Sequence, residues 1–185
     1  MNIFEVLKKG TEILKNNNVD DYEFDAFCLI EEIFSLTKTD YFLKRFETAD
    51  EQKVKCFFEY IDRRVSGEPL QYILGKWSFM DCEFYVGPGV LIPRSDTEIL
   101  VETAIDYIKK NDVKVVFDLC AGSGCIGISV ARVFPEIQVF CVELSDVAFS
   151  YLEKNIVLNN VKNVKAIKGD ITEICDGTDI GKIDV

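Results

Sequence analysis

The 185-residue sequence contains no histidine, and this absence excludes two common kinds of active site. Without an imidazole, the chain lacks both the usual base that activates a serine or cysteine nucleophile and the commonest zinc ligand. It contains seven cysteines, but none of them are spaced as C-x-x-C, so neither a zinc site nor a disulfide framework is indicated. We therefore expect reduced cysteines in the core of a cytoplasmic protein.

Long apolar runs are also missing from the sequence. No stretch approaches the roughly 18 residues of a membrane span, and the first residues have no signal-peptide pattern. The net charge of −11 at pH 7 is spread over both halves of the chain, without the basic patch that is typical of nucleic-acid-binding proteins. The sequence thus predicts a soluble globular monomer with no direct nucleic-acid partner and no membrane association.

The first part of the chain has the apolar periodicity of short helices. Residues 1–74 are expected to pack as a helical bundle, because none of these helices is long enough to be stable alone. One helix is predicted to begin at Thr48, since Glu51 completes a capping-box spacing. Residues 75–92 then predict a β-hairpin, with strands at 76–80 and 82–86 around a tight turn.

Residues 93–185 alternate between helical and strand patterns. A helix is predicted to begin at Ser95, with Glu98 as its capping partner. Its inner face is predicted to carry Ile99, Leu100, Val101, Ala104, Ile105 and Ile108. Strands are predicted at about 113–118, 137–142 and 164–168, with helices near 124–134 and 146–159 between them. This alternation favours parallel strands joined by right-handed crossovers, so an α/β domain is expected.

The clearest indication of a ligand site follows the first of these strands. An apolar run ends at Asp118, and Gly122, Gly124 and Gly127 follow at the spacing G-x-G-x-x-G. Glycines let backbone N–H groups approach a ligand closely, and the N-terminus of the next helix adds positive potential. Glu143 ends the second strand, where an acid that binds ribose hydroxyls is expected. Together these residues predict a pocket for a nucleoside-containing cofactor.

Asp118 favours one such cofactor over another. Dinucleotide-binding turns place their first glycine almost directly after the strand, and an acid at that point would repel the pyrophosphate. A carboxylate instead suits S-adenosyl-L-methionine, which carries an ammonium and a sulfonium group. Asp170, after the third strand, is placed to accept a hydrogen bond from the adenine amino group, with Ile171 packed on the ring. The N-cap of a short helix explains Asp170 equally well.

Three further segments resemble a known family. They are residues 67–75, 84–86 and 90–98, and the last contains Ile92-Pro93-Arg94 followed by Thr97-Glu98. These segments resemble the protein-(glutamine-N5) methyltransferases that modify peptide chain release factors. The resemblance extends over essentially all 185 residues, since the helical start, hairpin and loop order match as well.

The resemblance implies the architecture of the chain. Residues 1–74 are expected to form a helical domain that helps to hold the release factor, and residues 75–92 a hairpin linker. Residues 93–185 are expected to form the N-terminal part of a class I S-adenosylmethionine-dependent methyltransferase domain. That domain is Rossmann-like, with strand order 3-2-1-4-5-7-6, and we expect it to be incomplete at its C-terminus.

The resemblance also implies which residues bind the cofactor. The ribose hydroxyls are expected at Glu143, the adenine beside Ile171, and the methionine part along the glycine loop. The loop positions are Cys120, Ala121, Gly122, Ser123 and Gly124. Many members of the family have glycine in place of Cys120, and a negative φ would make the cysteine tolerable there.

The family's Asn-Pro-Pro-Tyr motif is absent from the 185 residues. In the family, its asparagine side chain and a proline carbonyl accept the N–H bonds of the substrate amide, whose delocalised lone pair makes it a poor nucleophile. The motif would follow within a few residues of Val185, so the chain itself is expected to hold no catalytic residue and to be inactive. The full-length protein is expected to methylate the glutamine of the release factors' Gly-Gly-Gln loop.

Three alternatives remain open from the sequence. An adenine-N6 nucleic-acid methyltransferase shares the missing motif, but the chain lacks a basic surface. An NAD-dependent oxidoreductase would account for the glycine spacing. A non-catalytic fragment would bind only the cofactor or the release factor. Equilibrium binding of NADH and of S-adenosylhomocysteine separates the oxidoreductase from the methyltransferases.

Overall fold

The computed structural model describes residues 1–174. The chain divides into two compact units, Met1–Leu74 and Gly75–Val185. The first unit is helical and consists of α1 (Ile3–Asn16), α2 (Tyr22–Phe34), α3 (Lys38–Lys44), α4 (Glu51–Val65) and α5 (Leu70–Leu74). Its core consists of apolar side chains from α1, α2 and α4 that are fully buried, namely Val6, Leu14, Leu29, Ile30, Phe57 and Ile61.

Side-chain caps define where the helices of the first unit begin. Asn2 and Glu5 form a reciprocal capping box at the start of α1. At α4 the predicted cap at Thr48 is wrong, because Asp50 accepts the hydrogen bond from the Lys53 N–H, at 3.0 Å. The backbone of Thr48 instead pairs with Asn2 in an isolated β-bridge. Because Thr48 pairs with Asn2, α4 begins two positions later than predicted.

The second unit contains a hairpin followed by an α/β arrangement in which helices alternate with the strands of a parallel sheet. Its elements are β1 (Lys76–Phe79), β2 (Cys82–Tyr85), α6 (Ser95–Lys110), β3 (Val115–Leu119), α7 (Cys125–Val133), β4 (Gln138–Glu143), α8 (Asp146–Leu158), β5 (Val164–Lys168) and α9 (Ile171–Ile174). Strands β1 and β2 pair antiparallel, and β3, β4 and β5 form a parallel sheet in that order. Read as β5-β4-β3, this order corresponds to strands 3-2-1 of the class I methyltransferase sheet, so the predicted fold class is confirmed.

Helix α6 differs from its prediction in two respects. Glu98 does not cap the helix, because its carboxylate accepts the N–H of Met80 at the hairpin turn, at 3.2 Å. Ile99 and Leu100 are 66% and 55% exposed, while Val101 is buried. The predicted inner face of α6 is thus confirmed at Val101 and Ile108, which are buried, and wrong at Ile99 and Leu100.

Within residues 1–174, none of the helices combines the length and the apolar character needed to cross a bilayer.

Candidate cofactor site

The predicted site residues lie at the carboxyl edge of the parallel sheet. Strands β3 and β4 are in register, with Asp118 opposite Cys141 and Leu119 opposite Val142. The loop 120–124 follows β3, and Glu143 is the last residue of β4. Ligands of open α/β sheets bind in the crevice outside this edge. The topology therefore places the glycine loop and Glu143 where a cofactor is held.

The glycine loop reverses the chain through left-handed backbone conformations. Gly122 and Gly124 have φ values of 58° and 80°. The N–H of Gly124 donates to the carbonyl of Ala121 at 2.8 Å, and the N–H of Ala121 donates to Val142 at 2.9 Å, which ties the loop to β4. Internal hydrogen bonds thus fix the shape of the loop, and α7, whose N-terminus contributes positive potential, begins directly after it.

Cys120 also adopts a left-handed conformation, with φ 62°. The negative φ that would make a cysteine tolerable here is therefore not present, and the departure from glycine at this position is strained. A left-handed conformation of a non-glycine residue costs about 1–2 kcal/mol. The residue itself is exposed, so the thiol is not a packed core group.

Replacing Cys120 by glycine is expected to raise the free energy of unfolding by about 1 kcal/mol, because the left-handed strain is removed. Urea unfolding of the two proteins measures the difference. Ala121→Gly is the matched control in the same loop, since Ala121 is buried and its backbone φ is not positive. That control should lose stability, and equal losses in both variants would contradict the strain at Cys120.

Glu143 is a buried carboxylate whose two oxygens are both held by backbone amides. The side chain accepts the N–H of Gly122 at 2.8 Å and the N–H of Ser145 at 2.7 Å. The residue is only 9% exposed. These bonds fix the carboxylate between the glycine loop and the start of α8. Its charge and its position at the end of β4 fit the predicted role of binding ribose hydroxyls.

The sequence suggested that Asp118 faces the cofactor, but in the structure its side chain contacts helix α7. The carboxylate lies against α7 and accepts the N–H of Gly127 at 2.9 Å. The Cys141 Sγ is 4.0 Å away, and Asp118 is buried. Asp118 thus fastens the first turn of α7 to β3, beneath the glycine loop. Its charge close to the cofactor stays a prediction.

Burial controls the ionisation of Asp118. Removal from water raises the pKa of this carboxyl to about 6; the Gly127 hydrogen bond opposes the increase and the charge of Glu143 adds to it. An acid whose pKa is higher in the folded state stabilises the fold below its unfolded pKa. That contribution is lost as the pH rises through about 6.

The pH dependence of stability is expected to reveal this carboxyl. Between pH 5 and pH 8 the wild-type chain should lose about 1.4 kcal/mol of unfolding free energy that Asp118→Asn does not lose. Asparagine retains an oxygen that accepts the Gly127 N–H, so the variant changes mainly the charge. Urea unfolding of both proteins at several pH values gives the difference. Parallel pH profiles would show that Asp118 does not titrate in this range.

Of the two roles that the sequence left open for Asp170, the structure shows the N-cap of a short helix. One oxygen of its carboxylate accepts the N–H and the hydroxyl of Thr172, at 2.8 and 2.7 Å, directly before α9. This bonding, most of all the hydroxyl bond, holds the pKa of Asp170 below its ordinary value. Ile171 is the first residue of α9 and is partly exposed. Contact of Asp170 and Ile171 with adenine stays a prediction.

Sequence reasoning missed one residue that touches the loop. Asn155, on the inner side of α8, is fully buried, and its amide donates to the Ser123 carbonyl at 2.9 Å. The available signal was weak, namely an asparagine at the apolar face of a predicted helix, repeated one turn later as Asn159. A buried side-chain amide needs hydrogen-bond partners, so a pair of asparagines at the apolar face of a predicted helix indicates hydrogen bonds to neighbouring segments.

Two family models match the two parts of the chain. The PrmC N-terminal domain model matches residues 5–75, and the TRM5/TYW2 methyltransferase domain model matches residues 101–183. Release factor glutamine methyltransferase of Clostridium botulinum is 37% identical over 174 residues, which cover 90% of this chain and 59% of that protein. The enzyme of that name from Thermodesulfovibrio yellowstonii is 39% identical over 149 residues, 80% of this chain and 53% of the relative.

Among solved structures, TYW2 of M. jannaschii in complex with AdoMet is 26% identical. The match covers 51% of this chain and 42% of that one, with a TM-score of 0.44. The chain spans less than two thirds of the length of the first curated relatives it matches. The resemblance of the chain to the release factor glutamine methyltransferases is therefore confirmed over the length that it shares with these relatives, and the cofactor of this methyltransferase fold is S-adenosyl-L-methionine.

Proposed function

We propose that the chain is the substrate-docking and cofactor-binding part of an enzyme that methylates peptide chain release factors. The methyl group is transferred from S-adenosylmethionine to the side-chain amide nitrogen of the glutamine in the Gly-Gly-Gln loop. The names of the relatives support the substrate class. The cofactor-binding part of the proposal rests on one hydrogen bond. The Gly122 N–H in the glycine loop donates to the Glu143 carboxylate at 2.8 Å.

The donor set of the site fits this cofactor. The N-terminus of α7, directly after the glycine loop, supplies positive potential, and Glu143 offers a carboxylate at the neighbouring strand end. A carboxylate that accepts from two vicinal hydroxyls is the usual partner of a ribose. The sulfonium of S-adenosylmethionine supplies an electrophilic methyl group. Asp118 adds negative charge behind the loop, which favours a cationic ligand over a pyrophosphate when its carboxyl is ionised.

The three segments of the chain take different parts in this proposal. Residues 1–74 hold the release factor, which the match to the PrmC N-terminal domain model supports. Residues 75–92 connect the two parts, although the hairpin itself is bonded to α8 through the side chains of Asn155 and Asn159. Residues 93–185 bind the cofactor. The hairpin is thus part of the methyltransferase unit as well as a connection.

A chimeric enzyme tests the reaction. Residues 1–185 are joined to the C-terminal part of the Clostridium botulinum relative that this chain does not match. The chimera is expected to transfer tritiated methyl from S-adenosylmethionine to a release factor, and not to a release factor with Gly-Gly-Ala in place of Gly-Gly-Gln. The 185-residue chain alone, which lacks Asn-Pro-Pro-Tyr, is expected to transfer none.

The same assay addresses the nucleic-acid alternative. Adenine-containing DNA and RNA replace the release factor, and no label is expected in them because the chain carries a net charge of −11. A chimera that binds S-adenosylhomocysteine but labels only nucleic acid would overturn the proposed substrate. One that binds the cofactor and labels neither acceptor would overturn the proposed reaction.

A further inference from the structure

The side chain of Asn155 in α8 is fully buried and makes three of the four hydrogen bonds that its amide can form. Its Oδ1 accepts the N–H of Tyr85 at 2.7 Å. Its Nδ2 donates to the carbonyls of Tyr85 at 3.2 Å and of Ser123 at 2.9 Å. A buried amide is costly unless it is satisfied, and with three bonds of this kind it has one orientation. Asn155 therefore forms a fixed junction.

The junction connects three parts of the second unit. Tyr85 ends β2, Asn155 belongs to α8, and Ser123 lies in the glycine loop. The hydrogen bonds to Tyr85 resemble those that a neighbouring strand would make to the edge of the hairpin. Ser123 lies between two residues with positive φ, Gly122 and Gly124. A bond to its carbonyl therefore restrains the peptide at the middle of the loop.

Asn159 provides a natural comparison one turn further along α8. Its Nδ2 donates to the Glu83 carbonyl at 2.8 Å and to the Asn155 carbonyl at 2.9 Å. It is also buried, and it contacts the same strand of the hairpin. None of the hydrogen bonds described for its side chain reach the glycine loop. The two asparagines thus share the hairpin contact and differ in the loop contact.

We propose that Asn155 is a positioning residue for the cofactor. It holds the Ser123 peptide so that the loop 120–124 keeps its ligand-binding conformation before the cofactor arrives, and it ties this loop to the hairpin. The inference rests on the proposed cofactor site. A loop that is already ordered loses less conformational entropy on binding, so the restraint raises affinity.

Two matched variants test the proposal in the 185-residue chain. Asn155→Ala is expected to lower the affinity for S-adenosylhomocysteine about tenfold, since it leaves a buried carbonyl unpaired and frees the loop. Asn159→Ala is expected to change the affinity by less than about twofold, although it also loses buried hydrogen bonds and stability. Calorimetry below the unfolding temperature of both variants measures the affinities.

Amide exchange followed by NMR provides a readout without any ligand. The N–H groups of Ala121, Gly122 and Gly124 are hydrogen-bonded within the site. Their exchange is expected to accelerate in Asn155→Ala and to remain close to wild type in Asn159→Ala. Loop exchange that is equal in the two variants, or an unchanged affinity in Asn155→Ala, would overturn the positioning role.

A second substitution covers the case in which Asn155→Ala does not fold. Asn155→Asp keeps the size and the acceptor for the Tyr85 N–H but loses the amide donors, and the same loop and affinity changes are expected. Wild-type behaviour of this variant would overturn the inference. If the wild-type chain itself binds no S-adenosylhomocysteine, the proposed function fails, and the loop exchange still decides whether Asn155 orders the loop.

Discussion

Replacing Glu143 by alanine is expected to lower the affinity for S-adenosylhomocysteine by about 100-fold, because two charge-assisted hydrogen bonds to ribose hydroxyls are lost. The substitution also releases the Gly122 and Ser145 amides that the carboxylate holds at 2.8 and 2.7 Å. Isothermal titration of the wild-type chain and the variant measures the change. Glu143 thus contributes both to ligand binding and to the shape of the site.

Two further variants separate these contributions. Glu153→Ala removes the same charge from an exposed position on α8 and should bind like wild type. Glu143→Gln keeps the size and one acceptor oxygen but places its NH2 against one of the two backbone amides, and an intermediate loss of about tenfold is expected. If Glu143→Ala bound S-adenosylhomocysteine within about twofold of wild type, the ribose would have to lie elsewhere.

Gly127→Ala is expected to destabilise the fold by about 3 kcal/mol, near the upper end of the cost of overpacking a core. A methyl group at this position overlaps the Cys141 sulfur and lies 3.1 Å from the Asp118 carboxylate. Helix α7 must then move away from β3 and β4, which breaks the Gly127 hydrogen bond to Asp118. Urea unfolding measures the loss, and the affinity for S-adenosylhomocysteine should fall as well because the loop precedes α7.

A double-mutant cycle identifies the collision as the cause. Cys141→Ala removes the sulfur that the new methyl group meets, so the combined variant should be more stable than the sum of the single changes predicts. The expected coupling is about 1 kcal/mol or more, as found for residues in contact. Strictly additive effects would show that Gly127 is required for another reason, such as the conformation of the helix itself.

Local patterns in the sequence were sufficient to predict the framework of the site. The alternation of apolar runs and helical stretches predicted β3, β4 and β5, and an acid with glycines marked the loop after β3. These signals are local, since a strand end, a turn and a helix start each depend on a few adjacent residues. The resemblance of residues 90–98 to a family added the substrate, which no pattern in the loop indicates.

Contacts between distant segments could not be predicted in the same way. The partner of Asp118 is an amide nine positions away, and the partners of Asn155 are 32 and 70 positions away. The residue type does not indicate the left-handed conformation of Cys120. The wrong assignment of Ile99 to the inner face of α6 has a similar origin, because Ile99 is as apolar as Val101, yet of these two only Val101 is buried.

The central claim is that the loop 120–124 and Glu143 form a site for S-adenosylmethionine. Isothermal titration of the 185-residue chain with S-adenosylhomocysteine and, in parallel, with NADH tests it most directly. We predict one equivalent of S-adenosylhomocysteine bound, with affinity that depends on Glu143, and no binding of NADH. Binding of NADH without S-adenosylhomocysteine, or binding of neither compound, would contradict the claim.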